Sequence, residues 1–442
     1  MYKSMWNAKL ETLEPEAQRF MEQDRLSTQL KYVYAKSPFY RSKFQEANLV
    51  PEAVRHAEDL TKLPFTTKAD LRESQERQPP FGDYLAAPLE KVATVHRTSG
   101  STGRFIYTVL SRNDLKQNSE CGARAFWAGG LRPNNIVVHC LNYNLWMGGY
   151  TDHRSLEATG AAVVPFGVGN SHQLVRRIQE VGIDTLSSTP SYPAYLENVV
   201  REELGIEPLE LGLKLGLLAG EPGLENPAFK RRVEETWGFR TSNSYGMSDV
   251  ISCFAGSCED SDDLHFMGQG AVLPQLIDPV TKEDLAINGG AEGELVLTHL
   301  AREAQPVVRY RTRDVIDIVT VEPCRCGRTG FRFRVTGRSD DMMHVRGINV
   351  FPSGVAEVLN ALVPAVTGEF QIVLSHPGPY DRLDITVEHG AQVGQEELDD
   401  LGRRVENSIR ESLTFGSQVN LVPPGSIPRS EVDKAIRVVR KY

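Results

Sequence analysis

The sequence predicts an α/β protein with a large multi-layer N-terminal domain and a small α+β C-terminal domain. Three observations carry this. At 442 residues the chain is longer than one ordinary core supports. From about residue 91 to 250, strand-like apolar runs alternate with amphipathic helical runs, the pattern of a sheet with ligands at its strand ends. After "VTGRSDDMMHVRGINVFP" the pattern changes again, across a polar linker. The boundary is placed at Ser339–Asp341, giving domains 1–338 and 339–442.

Taken in order, residues 9–36 carry an apolar stripe with no Gly or Pro after Pro15, and read as helix. "KVATVHR", "NIVVHCL", "AAVVPF" and "GIDTLSST" read as strands, with "SHQLVRRIQEVG" and "PAYLENVVREELG" as helices between them. Residues 265–320 turn antiparallel, with "GELVLTHL", "PVVRYRTRD" and "VIDIVTVEP" as strands separated by short turns. The C-terminal part is expected to hold a helix near 353–363, strands "EFQIVLSH" and "RLDITVEHG", a helix near 395–413 and a strand "QVNLVP".

Hydrophobic content of 40% and charged content of 24% suit a soluble globular protein. A net charge of −9 gives no electrostatic reason to expect nucleic acid or an anionic membrane. No apolar run reaches membrane-spanning length, and the first twenty residues lack the apolar core of a secretory signal. Six cysteines in so long a chain do not form a disulfide scaffold. A reducing cytoplasm is therefore expected, and clustered cysteines become candidates for metal.

The stretch "VHRTSGSTGRF" at 95–105 follows a strand-like run and cannot pack a core. It offers backbone N–H groups and small hydroxyls at close range, as a polyphosphate requires. It lacks both the Walker A spacing and the GxGxxG fingerprint.

Five ordered segments now matter together: "HRTSGSTGR" (96–104), "SYGMSD" (244–249), "RYRTRD" (309–314), "GRSDDMMHVRGINVFP" (337–352) and "PRSEVDKAIRV" (428–438). With them the chain resembles the phenylacetate–CoA ligase branch of the adenylate-forming (acyl-CoA synthetase) superfamily. The resemblance implies an adenylating N-terminal domain and a mobile C-terminal lid. It implies two half-reactions: a carboxylate attacks the α-phosphorus of ATP and releases pyrophosphate, then a thiol displaces AMP. ATP, Mg²⁺ and coenzyme A are the implied cofactors and partners, with a small aromatic carboxylic acid as substrate; homodimerisation is an open expectation.

The same resemblance implies roles by position. Ser99, Gly100, Ser101, Thr102 and Gly103 would hold pyrophosphate. Arg104 follows where relatives often carry Lys, and Phe105 stands where Pro is usual. Ser244, Tyr245, Gly246 and Met247 would line the adenine site, and Asp249, in place of the usual Glu, would hold Mg²⁺. Asp314 would bind the ribose hydroxyls, Arg338 the nucleotide, and Asp340 would be the hinge. Lys434 would swing in as the catalytic cation of the first half-reaction. Glu221 and Gly220 fall in the segment lining the acyl and nucleotide pockets, Glu221 on the nucleotide and Gly220 on the acyl side. Tyr143, Trp146, Phe166 and Tyr192 are aryl-pocket candidates. His344 stands at a usual Lys position and is assigned no role.

Cys258, His265, Cys324 and Cys326 form a Cys–His–CxC set suited to structural zinc, with Cys253 as an alternative to Cys258. Cys121 and Cys140 read as core. Rival readings are adenylation with another acceptor (a carrier-protein thiol or an amine), the deazaflavin-adenylating synthetase of the same branch, and a non-catalytic nucleotide-binding homologue.

Overall fold

The computed structural model describes residues 3–98, 105–346, 348–428 and 436–442. It divides into two compact units. The larger comprises Met1–Glu221, Val233–Thr312 and Asp317–Arg334.

Its centre is a mixed sheet of twelve strands. Five of them lie side by side and parallel: Ala162–Pro165, Ile136–His139, Thr185–Ser188, Leu215–Ala219 and Arg240–Tyr245. Their short apolar runs are joined by helices such as Ser171–Val181 and Tyr192–Leu204, because parallel neighbours need a crossover. Helix Ser171–Val181 buries Leu174, Val175 and Ile178, the 3–4 spacing of one face. Five parallel strands end on one edge of a sheet, and the residues that follow them share that edge.

Beyond Arg240–Tyr245 the sheet continues through Ala255–Cys258, Ser261–Phe266, Arg332–Arg338, Tyr310–Thr320, Glu292–His299, Val272–Ile277 and Asp284–Leu285. No helix among the described residues is long and apolar enough to cross a membrane.

Three expectations are corrected. The helix expected over 9–36 is two, Ala8–Glu11 and Pro15–Lys36, with Pro15 opening the second. The strand Val92–Arg97 stays out of the central sheet and pairs antiparallel with Tyr107–Ser111 in its own ribbon. The connection between them is too short for a parallel crossover. "PVVRYRTRD" and "VIDIVTVEP" merge into one strand, Tyr310–Thr320. The charged run survives inside a strand because it is paired: Arg311 makes a two-pronged bond to buried Glu294 at 2.8 and 2.6 Å.

The smaller unit comprises Pro222–Arg232, Arg313–Ile316 and Val335–Tyr442. Its four-stranded sheet has the order Ser417–Val422, Leu383–His389, Val366–Leu374, Val438–Arg440. Helix Leu398–Leu413 buries Leu401, Val405 and Ile409, four apart, in the same core as Phe370, Ile372 and Ile385.

Candidate functional site

The strand ends assemble the site. Tyr143 lies four residues past Ile136–His139, Phe166 directly past Ala162–Pro165, and Tyr192 four past Thr185–Ser188. Gly220 and Glu221 directly follow Leu215–Ala219, and Tyr245 closes Arg240–Tyr245. The edge shared by the five parallel strands therefore carries the expected adenine segment and most of the expected acyl residues.

The turn after Tyr245 is fixed locally. Met247 and Ile251 share a backbone hydrogen bond of 2.8 Å, and a Cβ at Gly246 would collide with the Ser252 carbonyl. Only glycine permits that approach. Tyr245 presents its ring edge-on to Phe254 and Phe333, at 5.3 and 5.8 Å. Asp249 leaves this turn with its side chain only 9% exposed. It is thus not a solvated surface acid.

Asp249 Oδ2 accepts the Tyr310 hydroxyl at 3.0 Å and pairs with Lys68 Nζ at 3.3 Å. Its Oδ1 is buried with no hydrogen-bond partner among the described residues. A buried carboxylate with one unused oxygen fits a hard cation such as Mg²⁺. Lys68 escapes sequence reasoning, because its partner lies 181 residues away.

His299 backs this turn. Its Nδ1 accepts the Val307 N–H at 3.0 Å, which leaves Nε2 to donate to the Val250 carbonyl at 3.2 Å. Burial pushes its pKa down to about 3 and that of His139 to about 4. His139 contacts Ser187 Oγ and the Gly148 carbonyl. In the unfolded chain both titrate near 6.5, so as pH falls the unfolded state takes up protons first. Their contribution is complete above pH 6.5 and is lost as pH falls towards 4. Urea midpoints should therefore drop between pH 7.5 and 5, with a shallower drop in His299→Gln.

Around the expected acyl pocket, the Tyr143 hydroxyl meets His153 Nδ1 at 2.9 Å, and His139 packs edge-on against the Tyr143 ring at 5.7 Å. Tyr192 is bonded to Ser171 Oγ at 2.9 Å. Trp146 pairs through its backbone with Arg97, whose guanidinium stacks on Phe105 at 4.2 Å. Phe166 is half-buried. Gly220 adopts φ +95°, a conformation that favours glycine, and Glu221 accepts the Ser191 N–H at 2.8 Å.

In the smaller unit, Arg338 joins two acids. Nη1 donates to Asp314 Oδ1 at 2.7 Å, while Nε and Nη2 both bond Asp340 at 3.0 Å. His344 is exposed on the strand Met343–Val345. Ser99, Gly100, Ser101, Thr102, Gly103, Arg104 and Lys434 lie outside the described residues.

The cysteine set comes together in the larger unit. The ligand atoms of Cys258, His265, Cys324 and Cys326 all lie within 4.8 Å of one another. Cys258 Sγ is 3.3 Å from His265 Nε2 and 4.0 Å from Cys324 Sγ, and Cys326 Sγ is 3.8 Å from His265 Nε2. Bonds of about 2.3 Å to sulfur and about 2.0–2.1 Å to nitrogen at tetrahedral angles imply S–S of about 3.8 Å and S–N of about 3.6 Å. The donor set and its spacing fit Zn²⁺. The hydrogen bond from Cys258 holds the Cys326 thiol well below the ordinary cysteine range against partial burial, and His265 adds to this. Cys253 is outside the cluster and buried in core, as are Cys121 and Cys140.

Residues 347–441 match the AMP-binding enzyme C-terminal domain. The chain is 37% identical to the phenylacetate–coenzyme A ligase of Thermus thermophilus, over 98% of this chain and 99% of that one. It is 34% identical to the same-named ligase of Pseudomonas putida, over 98% and 96%. A crystal structure of 2-hydroxyisobutyryl-CoA ligase in the postadenylation state superposes with a TM-score of 0.91 at 31% identity, covering 99% of this chain and 93% of that one. The chain belongs to the phenylacetate–CoA ligase family, whose members are AMP-forming acid–thiol ligases, and it is an adenylate-forming CoA ligase.

Proposed function

We propose that the protein activates an aromatic carboxylic acid: it forms the aryl-adenylate with release of pyrophosphate, then the aryl-CoA thioester with release of AMP. The observation that carries this is the placement of Tyr143, Phe166, Tyr192, Tyr245 and Asp249 at one sheet edge, in a chain that matches phenylacetate ligases end to end. Aromatic walls favour an aryl group.

In the first half-reaction, an acid oxygen bonds to the α-phosphorus and the bond to the β-phosphate oxygen breaks. The difficulty is charge on charge, so positioning and neutralisation dominate. Ser99–Gly103 cradle the pyrophosphate group, Ser244–Met247 hold adenine, Asp314 takes the ribose hydroxyls, and Arg338 steadies the nucleotide. Asp249 holds Mg²⁺, which when bound neutralises phosphate charge. Gly220 borders the acyl group beside Tyr143, Trp146, Phe166 and Tyr192, and Glu221 serves the nucleotide. In the second half-reaction, the coenzyme A sulfur bonds to the acyl carbon as AMP leaves. The C-terminal part, from about residue 339, acts as a lid hinged at Asp340. Cys258, His265, Cys324 and Cys326 hold a structural Zn²⁺: four protein donors leave no open coordination position.

The test is pyrophosphate release over a panel of phenylacetate, benzoates and 2-hydroxyisobutyrate, with and without coenzyme A. Release should require Mg²⁺ and an aryl acid, and coenzyme A should convert the adenylate to thioester. Release without any acid would overturn the ligase reading. Preference for 2-hydroxyisobutyrate would overturn only the aryl assignment.

A further inference from the structure

We propose that Asp152 is a specificity-determining residue of the acyl pocket: its carboxyl accepts a hydrogen bond from an amino or hydroxyl group on the ring of the acid substrate. The inference rests on the reading of the chain as an aryl-acid ligase and narrows it to rings that carry a donor.

The chain builds a special turn to hold this acid. Asp152 ends a single π-helical turn, Gly148–Asp152, which begins two residues past Trp146. A Cβ at Gly149 would collide with the Asn142 carbonyl, so the turn packs backbone against backbone on the chain entering Tyr143. On its other side, Thr151 Oγ1 donates to Ser252 Oγ at 2.7 Å, and the Ser252 N–H donates to Asn118 Oδ1 at 3.1 Å. Asp152 therefore stands between the expected acyl segment and the turn that follows Tyr245.

Its carboxyl is buried but only half used. The residue is 5% exposed, the Ser252 hydroxyl donates to it, and Oδ1 has no partner among the described residues. Burial pushes its pKa up to about 7 in spite of the Ser252 bond. A structural acid at such depth would be saturated by protein donors. Asp114 shows this: it accepts the N–H groups of Ser111, Glu303 and Ala304 at 2.9, 2.7 and 3.0 Å. An idle buried acceptor is costly, and an apolar side chain at 152 would avoid that cost. There is also room beside it. A Cβ at half-buried Gly148 would stand 3.4 Å from Asp152 Oδ2 and 3.6 Å from Leu141 Cδ1, which are ordinary contact distances. Glycine there thus relieves no clash and leaves open space against the carboxyl. A ring N–H or O–H entering that space would satisfy the carboxyl, whereas a methyl group would bury it unpaired.

The experiment measures acid-dependent pyrophosphate release over phenylacetates and benzoates that carry an amino, hydroxyl or methyl group at each ring position. Wild type, Asp152→Ala and Asp152→Asn are compared, with melting temperatures as a check on folding. Wild type should favour an amino or hydroxyl acid over its methyl counterpart by about 10²-fold or more in kcat/KM. The amino and hydroxyl arms show which donor the carboxyl takes. In Asp152→Ala the preference should fall below about fivefold, through a raised KM for the donor-bearing acid, with the KM for ATP unchanged. Asp152→Asn, whose amide oxygen still accepts, should fall between the two and carries the test if the alanine variant does not fold. Equal use of donor and methyl acids by wild type would overturn the inference and leave the aryl reading standing. Equal losses for every acid in Asp152→Ala, with a lower melting temperature, would overturn it in favour of a structural role. Release with no aryl acid at all would sink the aryl reading, and this inference with it.

Discussion

Exchange of Cys324 or Cys326 for serine should strip the protein of about one zinc per chain and lower its melting temperature by roughly 10 °C or more. The size of the effect follows from what the four donors join. Cys258 and His265 stand on the hairpin Ala255–Cys258 and Ser261–Phe266, whose first strand pairs Ala255 with Tyr245. Cys324 and Cys326 stand on a knuckle closed by the Gly327 N–H on the Cys324 carbonyl, with Gly327 at φ +87°. Next to it, Arg328 makes a buried 2.7 Å ion pair with Glu11. Thr329 also donates its N–H to the Glu11 carbonyl at 3.0 Å. The metal would hold the knuckle, and the knuckle holds the N-terminal segment. Without the cation, three thiols and a histidine remain crowded in a largely buried site with few other partners. Elemental analysis and thermal melting, each on wild type and both variants, check this. Protein prepared without chelators and free of zinc would sink it. Cys253→Ser should keep its zinc, because that thiol lies outside the cluster. The surviving folded fraction of each variant should retain much of its catalytic rate, since a closed four-donor site offers no position to a substrate.

What the residues disclose in advance follows the range of the interactions involved. The alternation of strands and helices from Ile136 to Tyr245 is legible because periodicity is local. The ribbon Val92–Arg97 with Tyr107–Ser111 is not, since a strand pattern does not say which sheet accepts it. The break at Pro15 is legible in principle but is masked by the apolar stripe around it. The continuity of Tyr310–Thr320 is hidden: it depends on Glu294, buried 17 residues away, to neutralise Arg311. For the site, the motif positions come from resemblance, and for those among the described residues the structure adds how they are held. The choice between Cys253 and Cys258 is open in the sequence because both lie in one short stretch. Pairing of Gly256 with His265 places the Cys258 side of the hairpin by the histidine. Lys68 and Glu11 stay hidden because nothing in their own neighbourhoods distinguishes them from solvated charges. Only the fold brings a partner to each.

Lys434→Ala should slow acid-dependent pyrophosphate release by about 10²–10³-fold, while a premade aryl-adenylate and coenzyme A should still give thioester at nearly the wild-type rate. Lys434 lies outside the described residues, so its proposed role rests on the resemblance carried by "SEVDKAIRV" and on the chemistry. In the first half-reaction the attacking carboxylate and the α-phosphate are both anionic, and the transition state draws them together. An ammonium that touches both at that moment stabilises the transition state more than either ground state, so its loss should lower kcat with modest change in ATP affinity. In the second half-reaction a neutral acyl carbon is attacked by sulfur and AMP departs, so the same ammonium has no anionic pair to bring together. The two assays therefore separate the roles. Equal loss in both would mean that Lys434 serves only the integrity of the C-terminal part. A silent substitution would mean that it is a solvated lysine in the basic tail "KAIRVVRKY", and that the first half-reaction draws its cation from elsewhere in the chain.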